Sequence, residues 1–585
     1  MLDQYREVVL ADFEFIEPEG ERVQRVVCGV FQLLKSGKTI RLFEDELGPQ
    51  PPFSTGPDTL YVAFNVSAEI GCHLALNWPI PQRVLDLYAE YLAKLNTFRE
   101  GEVDPPKASL ISALVDFGVD TIGAEEKRAM IDLILTGGPW SAEQRDAILD
   151  YCASDVVALE RLLPRMLPTI DLPRALLRGR YMCAVAAIKR NGIPIDGERL
   201  RRLRQHWQAV QGRLINEVDV FGVYDENRSF SGARFAELLV KHDIAWPRHA
   251  DGKLDLRKET FRDMADSTNA QVIAPLLRLR NSLSGLRLGI GLTVGADDRN
   301  RTGLWPFRST TGRNQPSSAT FIFGCARWLR GLIRPPEGYA IAYLDWKQQE
   351  FGIAAALSGD EAMMAAYRSG DPYLAFAKQA GAVPVDATKA THGRERDLYK
   401  LCILATQYGQ GAKSLALRIA RPGMNLPVEI LARELLEAFD RSYRTFRRWN
   451  QAFVDTVMFH GEARTVFGWP ARTLFNPNPR SIANYPMQGN GAEMMRIACC
   501  LGIERGVEVC APVHDAVLIA APIGAIDDAV ATMQGAMAEA SRAVLGGFEL
   551  GTDAKIVRYP DRYMDERQGS QEMWDRVWKL VEEAE

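Results

Sequence analysis

Several acidic residues in this chain stand where they could do chemistry. Asp345 closes a short, almost wholly apolar run, Ala340-Ile-Ala-Tyr-Leu, and Glu350 follows in the first turns of a helical pattern. Asp515 sits with His514 at the polar tip of a second apolar stretch. A lone carboxylate closing a buried strand is costly to bury unless it is paired or holds a metal ion. Near the N-terminus Val8-Val-Leu-Ala leads into Asp12 and Glu14, which strand alternation puts on one face. Asn65 and Glu69 follow a later apolar run, and Tyr151 and Asp155, four apart in an amphipathic pattern, share a helix face. Four carboxylates and a phenol can thus converge at one end of a small α/β sheet. Their repulsion calls for cations, and oxygen ligands suit magnesium or manganese. Two such ions can activate a water and stabilise the leaving oxygen in phosphodiester hydrolysis. Arg396, Lys400, Leu404 and Tyr408 recur every four residues and form one helical stripe. Two cations, an aliphatic and an aromatic suit a triphosphate at one end and a base at the other.

The elements that must position these groups follow from periodicity. Residues 26–34 and 59–64 are expected strands beside the Asp12 strand, with Glu69 at the start of a helix. Residues 181–189 are a helix candidate closed by Asn191-Gly-Ile-Pro. A basic helical segment, Arg199-Leu-Arg-Arg-Leu-Arg-Gln-His-Trp, runs on towards residue 220, and a second lies around residues 276–288. Helices with arginine faces suit tracking a phosphate backbone. Residues 222–267 are mixed and polar and point to no chemistry. Ser309-Thr-Thr-Gly-Arg313-Asn-Gln-Pro is turn-rich, residues 360–480 read as mostly helical, and residues 571–583 as a final helix.

A length of 585 residues predicts three or four folding units. The net charge of -5 gives no support to nucleic-acid binding by itself, because local charge decides that. Nine cysteines without a CxxC pair indicate neither a zinc site nor a disulfide framework, which fits reduced thiols and a cytoplasmic location. The polar N-terminus is unlike a signal peptide, and no apolar run is long enough to span a membrane.

The ordered set Asp12, Glu14, Glu69, Tyr151 and Asp155 resembles the three motifs of DEDD-type 3′→5′ exonucleases of the tyrosine subclass. Asp86 resembles a further aspartate of that family outside its catalytic set. From about residue 195 the chain resembles family A DNA polymerases, of the DNA polymerase I type. The Asp345 stretch is similar to motif A, Arg396, Lys400, Tyr408 and Gly409 to motif B, and Val513-His514-Asp515 to motif C. Thr311-Gly-Arg313 and the series Arg480, Asn484, Gln488 also match family positions.

The resemblance implies a multidomain α/β and α chain. A ribonuclease H-like exonuclease domain at residues 1–170 would precede a right-hand polymerase. The latter would have a thumb at 171–302, palm at 303–360 and 480–585, and fingers at 361–479. Asp345, Asp515 and the main-chain oxygen of Trp346 would hold two magnesium ions, with manganese as a substitute. In the exonuclease unit Asp12, Glu14, Glu69 and Asp155 would hold ions and Tyr151 would orient the water. Arg396 and Lys400 would neutralise the triphosphate, and Lys400 would protonate the leaving pyrophosphate. Gln348, Leu404, Tyr408 and His514 would line the nucleotide, and Glu350 would exclude a 2′-hydroxyl. Arg313, Arg480, Asn484, Gln488 and His514 would hold the primer end and minor groove. The expected partners are primer-template DNA, deoxynucleotides and a single-stranded 3′ end.

This sequence departs from the family patterns in several places. Trp346, Lys347 and Gln349 replace Tyr, Ser and Ile of motif A; Leu404 replaces an aromatic residue; Ala516 replaces the motif C Glu; and Glu69 replaces an Asp. The layout leaves no room for a 5′-nuclease domain and is similar to polymerases of phages and mobile elements. A single-subunit RNA polymerase would share the palm chemistry, but Glu350 and the exonuclease set argue against it. The paired aspartates argue against a catalytically silent DNA-binding scaffold.

Overall fold

The computed structural model describes residues 2–585 except 99–107, 121–123, 220, 228, 250, 266–271, 274–275, 278–290, 420–427, 474–477 and 568. Most of the second basic stretch, residues 276–288, therefore lies outside the described residues.

The N-terminal unit is a five-stranded sheet in the order β3-β2-β1-β4-β5, built from β1 (Glu7–Ile16), β2 (Arg25–Leu33), β3 (Lys38–Phe43), β4 (Thr59–Ala63) and β5 (Val84–Asp86). β1 is antiparallel to β2 and parallel to β4, so it lies at the centre of the sheet. Val8 to Ala11 are buried, as expected for a strand covered on both faces. Helix α1 (Val66–Ala75) and α2 (Leu87–Leu95) meet at Asp86, whose carboxylate accepts the backbone N–H groups of Asn65, Val66, Tyr88 and Ala89. Asp86 thus caps two helix starts at once, a structural role consistent with a place outside a catalytic set. After α3 (Leu110–Asp116) and α4 (Ala124–Leu135), α5 (Ala142–Met166) starts at a capping box of Ser141 and Gln144 and crosses β1, β2 and β3.

Helix α6 (Leu172–Asn191) begins earlier than its apolar pattern predicts because Asp171 caps it and Pro173 occupies its first turn. It packs on α1 and β5 and also on the C-terminal helix Pro479–Glu504 and strand Glu508–Val513. Gly179 allows this approach, since a Cβ there would lie 2.1 Å from the Val84 carbonyl oxygen. Helix α7 (Gly197–Val218), the predicted basic helix, packs along the last helix of the chain. The segment after it holds α8 (Gly232–Lys241) and α9 (Lys258–Ala265), with Phe235, Trp246 and Phe261 in mutual ring contact.

The second major sheet is four-stranded and antiparallel. Between the sheets lie two short strands, β6 (Ile193–Pro194) and β7 (Arg299–Asn300), which pair with each other. The large sheet runs in the order β11-β12-β8-β13. Its centre is β8 (Tyr339–Trp346). From β8 the chain enters α10 (Gln349–Ser358) and then α11 (Glu361–Arg368), α12 (Pro372–Gln379), α13 (Gly393–Gln407), α14 (Ala412–Ile419), α15 (Val428–Ser442) and α16 (Arg444–His460). The predicted helical block is interrupted by one ribbon, β9 (Glu462–Arg464) with β10 (Pro470–Arg472). Rings of Phe376, Tyr399, Phe439 and Tyr443 form the core of the helical block. Helix α17 (Pro479–Glu504) leads back to β11 (Glu508–Val513) and β12 (Ala516–Pro522), followed by α18 (Ile526–Val544), β13 (Thr552–Arg558) and α19 (Ser570–Glu582).

Alternation along β8 sorts its side chains. Ala340, Ala342, Leu344 and Trp346 join the core shared with the helical block, whereas Ile341 joins the core that includes Trp207, Trp328 and Trp578. Asp345 shares the face of Ile341 and Tyr343 by the two-residue period. Among the described residues no helix is long and apolar enough to cross a membrane.

Candidate active sites

The four-stranded sheet brings Asp345 and Asp515 together. β12 pairs with β8 so that Ala516 lies opposite Asp345, and Asp515 precedes it in the hairpin turn. The Trp346 N–H donates to the Asp515 carbonyl oxygen at 3.2 Å, which ties the two segments together at backbone level. His514 completes the turn in the left-handed region, φ 56°, and is exposed at its tip; desolvation by the surrounding protein holds its imidazole below its ordinary pKa, against the opposing pull of Asp515.

β13 on the other side places Asp553 opposite Asp345. Ala516, Asp345 and Asp553 therefore form one row across three strands. The acid missing at Ala516 is matched by an acid at the far end of the row, where no motif predicted one. Asp553 pairs with Lys347 at 2.9 Å, and Lys347 is itself one of the departures in motif A. Burial, with repulsion from Asp515 and Asp553, pushes the Asp345 carboxyl up to about 7. Carboxylates held in mutual repulsion at the end of a sheet fit divalent cations, whose charge would relieve it.

Gln348 caps α10 in the left-handed conformation, φ 40°, which turns the chain so that Glu350 points back towards the sheet end. The Glu350 Oε1 accepts from the Tyr408 hydroxyl at 3.2 Å and lies 3.9 Å from Arg313. Burial raises the Glu350 pKa, with Arg313 and Tyr408 pulling the other way. Glu350, Tyr408 and Arg313, far apart in sequence, thus form one cluster. Arg313 sits in a turn held by the Ser309 hydroxyl and, behind it, by Arg496, which donates to the Gly312 carbonyl at 2.7 Å. Arg496 is buried and paired with Glu493; the sequence offered no signal that it supports this turn.

On α13, Arg396 and Lys400 flank the Tyr373 ring at 5.3 and 5.5 Å, and Leu404 follows one turn on. Arg396 is bound by Asp371, the N-cap of α12, and pairs with Asp397 at 3.3 Å. Tyr373 is buried and within electrostatic reach of Glu350 and Asp515, so it joins the cation stripe to the carboxylate end. Nothing in the sequence singled out Asp371 or Tyr373 as part of a site. Tyr408 ends α13, and Gly409, φ 63°, packs on Arg480, where a Cβ would meet Cγ at 3.0 Å. Arg480, Asn484 and Gln488 lie on successive turns of α17; Asn484 is buried, with its Oδ1 lacking a protein partner.

The N-terminal sheet brings Asp12, Glu14 and Asp155 together, one carboxylate oxygen from each lying within 4.8 Å of the others. Glu69 is not in that triple. It lies beside it: burial, then repulsion from Asp12 and Glu14, raises its pKa well above the ordinary value, with the Phe13 backbone pulling the other way. Its Oε2 is buried without a partner. Burial, then repulsion from Glu14 and Asp155, raises the Asp12 pKa; burial foremost raises that of Glu14 to about 8. An all-oxygen donor set under this repulsion, with an orphaned carboxylate oxygen beside it, fits divalent ions. Tyr151 shares the helix face with Asp155 as predicted. A cavity of about 370 Å³ beside them is lined by Leu114, Lys127, Tyr151, Asp155 and Arg161. Lys127, from α4, was not predicted; its Nζ lies 2.9 Å from Asp155 Oδ2 and 5.5 Å from the centre of the Tyr151 ring.

Comparison with known proteins identifies the C-terminal architecture. Residues 324–556, which carry β8, α13 and the β11–β12 hairpin, match DNA polymerase family A. These residues form a DNA polymerase family A domain. The chain is 24% identical over 443 residues to DNA polymerase I of Aquifex aeolicus, covering 70% of this chain and 74% of that one. It is 25% identical over 516 residues to the DNA polymerase of Mycobacterium phage L5, covering 82% and 78%. Its fold is similar to the POL domain of Pol1 from M. smegmatis in complex with DNA primer-template and dNTP. The TM-score is 0.67 and the identity 16%, over 94% of this chain and 95% of that one. Within the matched residues β8 lies inside the four-stranded sheet and leads directly into the helices α10 to α16.

Proposed function

We propose that this chain is a template-directed DNA polymerase that adds deoxynucleotides to a primer 3′ end and carries a 3′→5′ proofreading exonuclease. The observation that carries the reading is the meeting of Asp345, at the end of β8, with Asp515, in the β11–β12 turn, within electrostatic reach of Glu350 and of Tyr373, the ring that Arg396 and Lys400 flank. On this reading residues 1–170 are the exonuclease, 171–302 the thumb, 303–360 and 480–585 the palm, and 361–479 the fingers.

The residues divide the work. Asp345, Asp515 and the Trp346 main chain would hold magnesium ions, which when bound supply activation of the primer hydroxyl and neutralisation of the triphosphate. Lys400 and Arg396 bind the triphosphate from the opposite side, and the Lys400 ammonium gives a proton to the departing pyrophosphate. Arg396 must loosen its hold on Asp371 to do so. Glu350, braced by Tyr408, walls off the space beside the sugar C2′. Leu404 and Tyr408 pack against the nucleotide and the templating base, with Gln348 at the turn below. Arg313, Arg480, Asn484, Gln488 and His514 contact primer and template without reading sequence. In the exonuclease unit Asp12, Glu14, Glu69 and Asp155 form the acidic site and Tyr151 orients the attacking water. Primer-template DNA, deoxynucleotides and a single-stranded 3′ end are the partners, in DNA replication or repair.

Primer extension with magnesium, offering deoxy- and ribonucleotides side by side, tests the reading. Extension with deoxynucleotides that Asp345→Asn abolishes is expected. Preference for ribonucleotides, or extension that survives the substitution, would overturn it.

A further inference from the structure

The acidic cluster of the N-terminal sheet already contains a cation of its own. Lys127 reaches in from α4, and its ammonium lies 2.9 Å from Asp155 Oδ2. Its charge acts on Asp12 and Glu14 as well, so it serves all three members of the carboxylate triple. The Tyr151 ring lies under the ammonium at 5.5 Å, a cation–π contact that holds it there. Beside Asp12 and Glu14, whose charges act on it, Glu69 Oε2 is buried and lacks a protein partner. The cluster is therefore asymmetric. Its Asp155 end is neutralised by a side chain, while its Glu69 end keeps an open acceptor.

We propose that the Lys127 ammonium occupies one of the two cation positions of this cluster, so that the site takes one divalent ion readily, at the Glu69 end, and a second only when Lys127 is displaced. This rests on the exonuclease reading of the cluster. A cation of fixed charge at hydrogen-bond distance from Asp155 competes directly with an ion for the same oxygen. Lysine is suited to the task because its long, flexible stem can swing out without moving the backbone of α4, which packs on β1 and α5. Entry of a nucleic-acid 3′ end, which brings its own phosphate, would draw the ammonium from Asp155 to that phosphate and free the second position. The proposal thus makes Lys127 a substrate-dependent gate on ion uptake.

The test counts manganese bound to the full-length chain by electron paramagnetic resonance, in a background of Asp345→Asn and Asp515→Asn that removes the polymerase ligands. Lys127→Met should tighten the weaker manganese site about tenfold or more, consistent with loss of one adjacent positive charge. Lys127→Gln should do the same, and Lys127→Arg should behave as the parent. Addition of a single-stranded oligonucleotide should tighten the weaker site in the parent and leave Lys127→Met nearly unchanged. Equal manganese number and affinity in the parent and in both neutral variants, each with an unchanged melting profile, would overturn the proposal. Digestion of an end-labelled oligonucleotide by the unaltered chain is the separate check on the exonuclease reading. Should no digestion occur, that reading fails while the manganese titration still decides the role of Lys127.

Discussion

Asp345→Asn should abolish nucleotide addition and at the same time make the metal-free protein more stable. The Asp345 carboxyl is pushed up to about 7 in the folded chain by burial and by Asp515 and Asp553, against an ordinary value of 3.8. The folded state therefore holds this proton more tightly than the unfolded state. Ionisation costs stability progressively as pH rises from about 4 to about 7, and the full cost is present above that. A difference of about three pH units corresponds to roughly 4 kcal/mol at most. Asp345 is only partly buried, so solvent screening reduces this to about 1–2 kcal/mol. Asparagine has nearly the same shape and no charge. In EDTA at pH 8 the variant should unfold at a higher guanidinium concentration than the parent, followed by a probe of the β8 sheet such as Trp346 fluorescence. The gap should close as pH falls towards 4. Magnesium should stabilise the parent at pH 8 and do so much less in the variant, because a ligand that binds the folded state alone raises its stability. A variant equal to or less stable than the parent at pH 8 in EDTA would refute the view that Asp345 is held under repulsion that an ion relieves.

Three further outcomes are expected. Glu350→Ala removes the group braced by Tyr408 and should lower the ratio of kcat/KM for deoxy- over ribonucleotides by about tenfold or more; an unchanged ratio would remove the sugar gate from this position. Leu404 carries no hydroxyl to stand in for a missing 3′-hydroxyl, so dideoxynucleotides should be used poorly and better after Leu404→Tyr, read from terminated products on a sequencing gel. Glu69→Ala and Asp12→Ala should each abolish digestion of single-stranded DNA and leave primer extension nearly intact, since the two acidic sites lie on separate sheets; digestion surviving both would have to come from elsewhere.

The sequence alone determined the elements and the chemical types. The short apolar runs Val8 to Ala11 and Ala340 to Leu344 suited strands buried on both faces, each ending in a carboxylate, and both are strands. Four-residue spacing put Arg396, Lys400 and Leu404 on one helix face before any contact was known. Helix boundaries were less legible, because caps such as Asp171 extend a helix beyond its apolar pattern. What only the tertiary structure decided were the pairings between segments distant in sequence. β13 places Asp553 opposite Asp345, a strand register that no local pattern specifies. Tyr373 comes to lie between two cations because α12 packs on α13, and Arg496 supports the Arg313 turn from a helix some 180 residues away. Lys127 enters the acidic cluster because α4 docks beside α5; on its own helix it is one charged residue among several. Spacing rules act within one element, over a few residues, whereas these contacts arise where separate elements bury apolar faces against each other and carry their polar edges along.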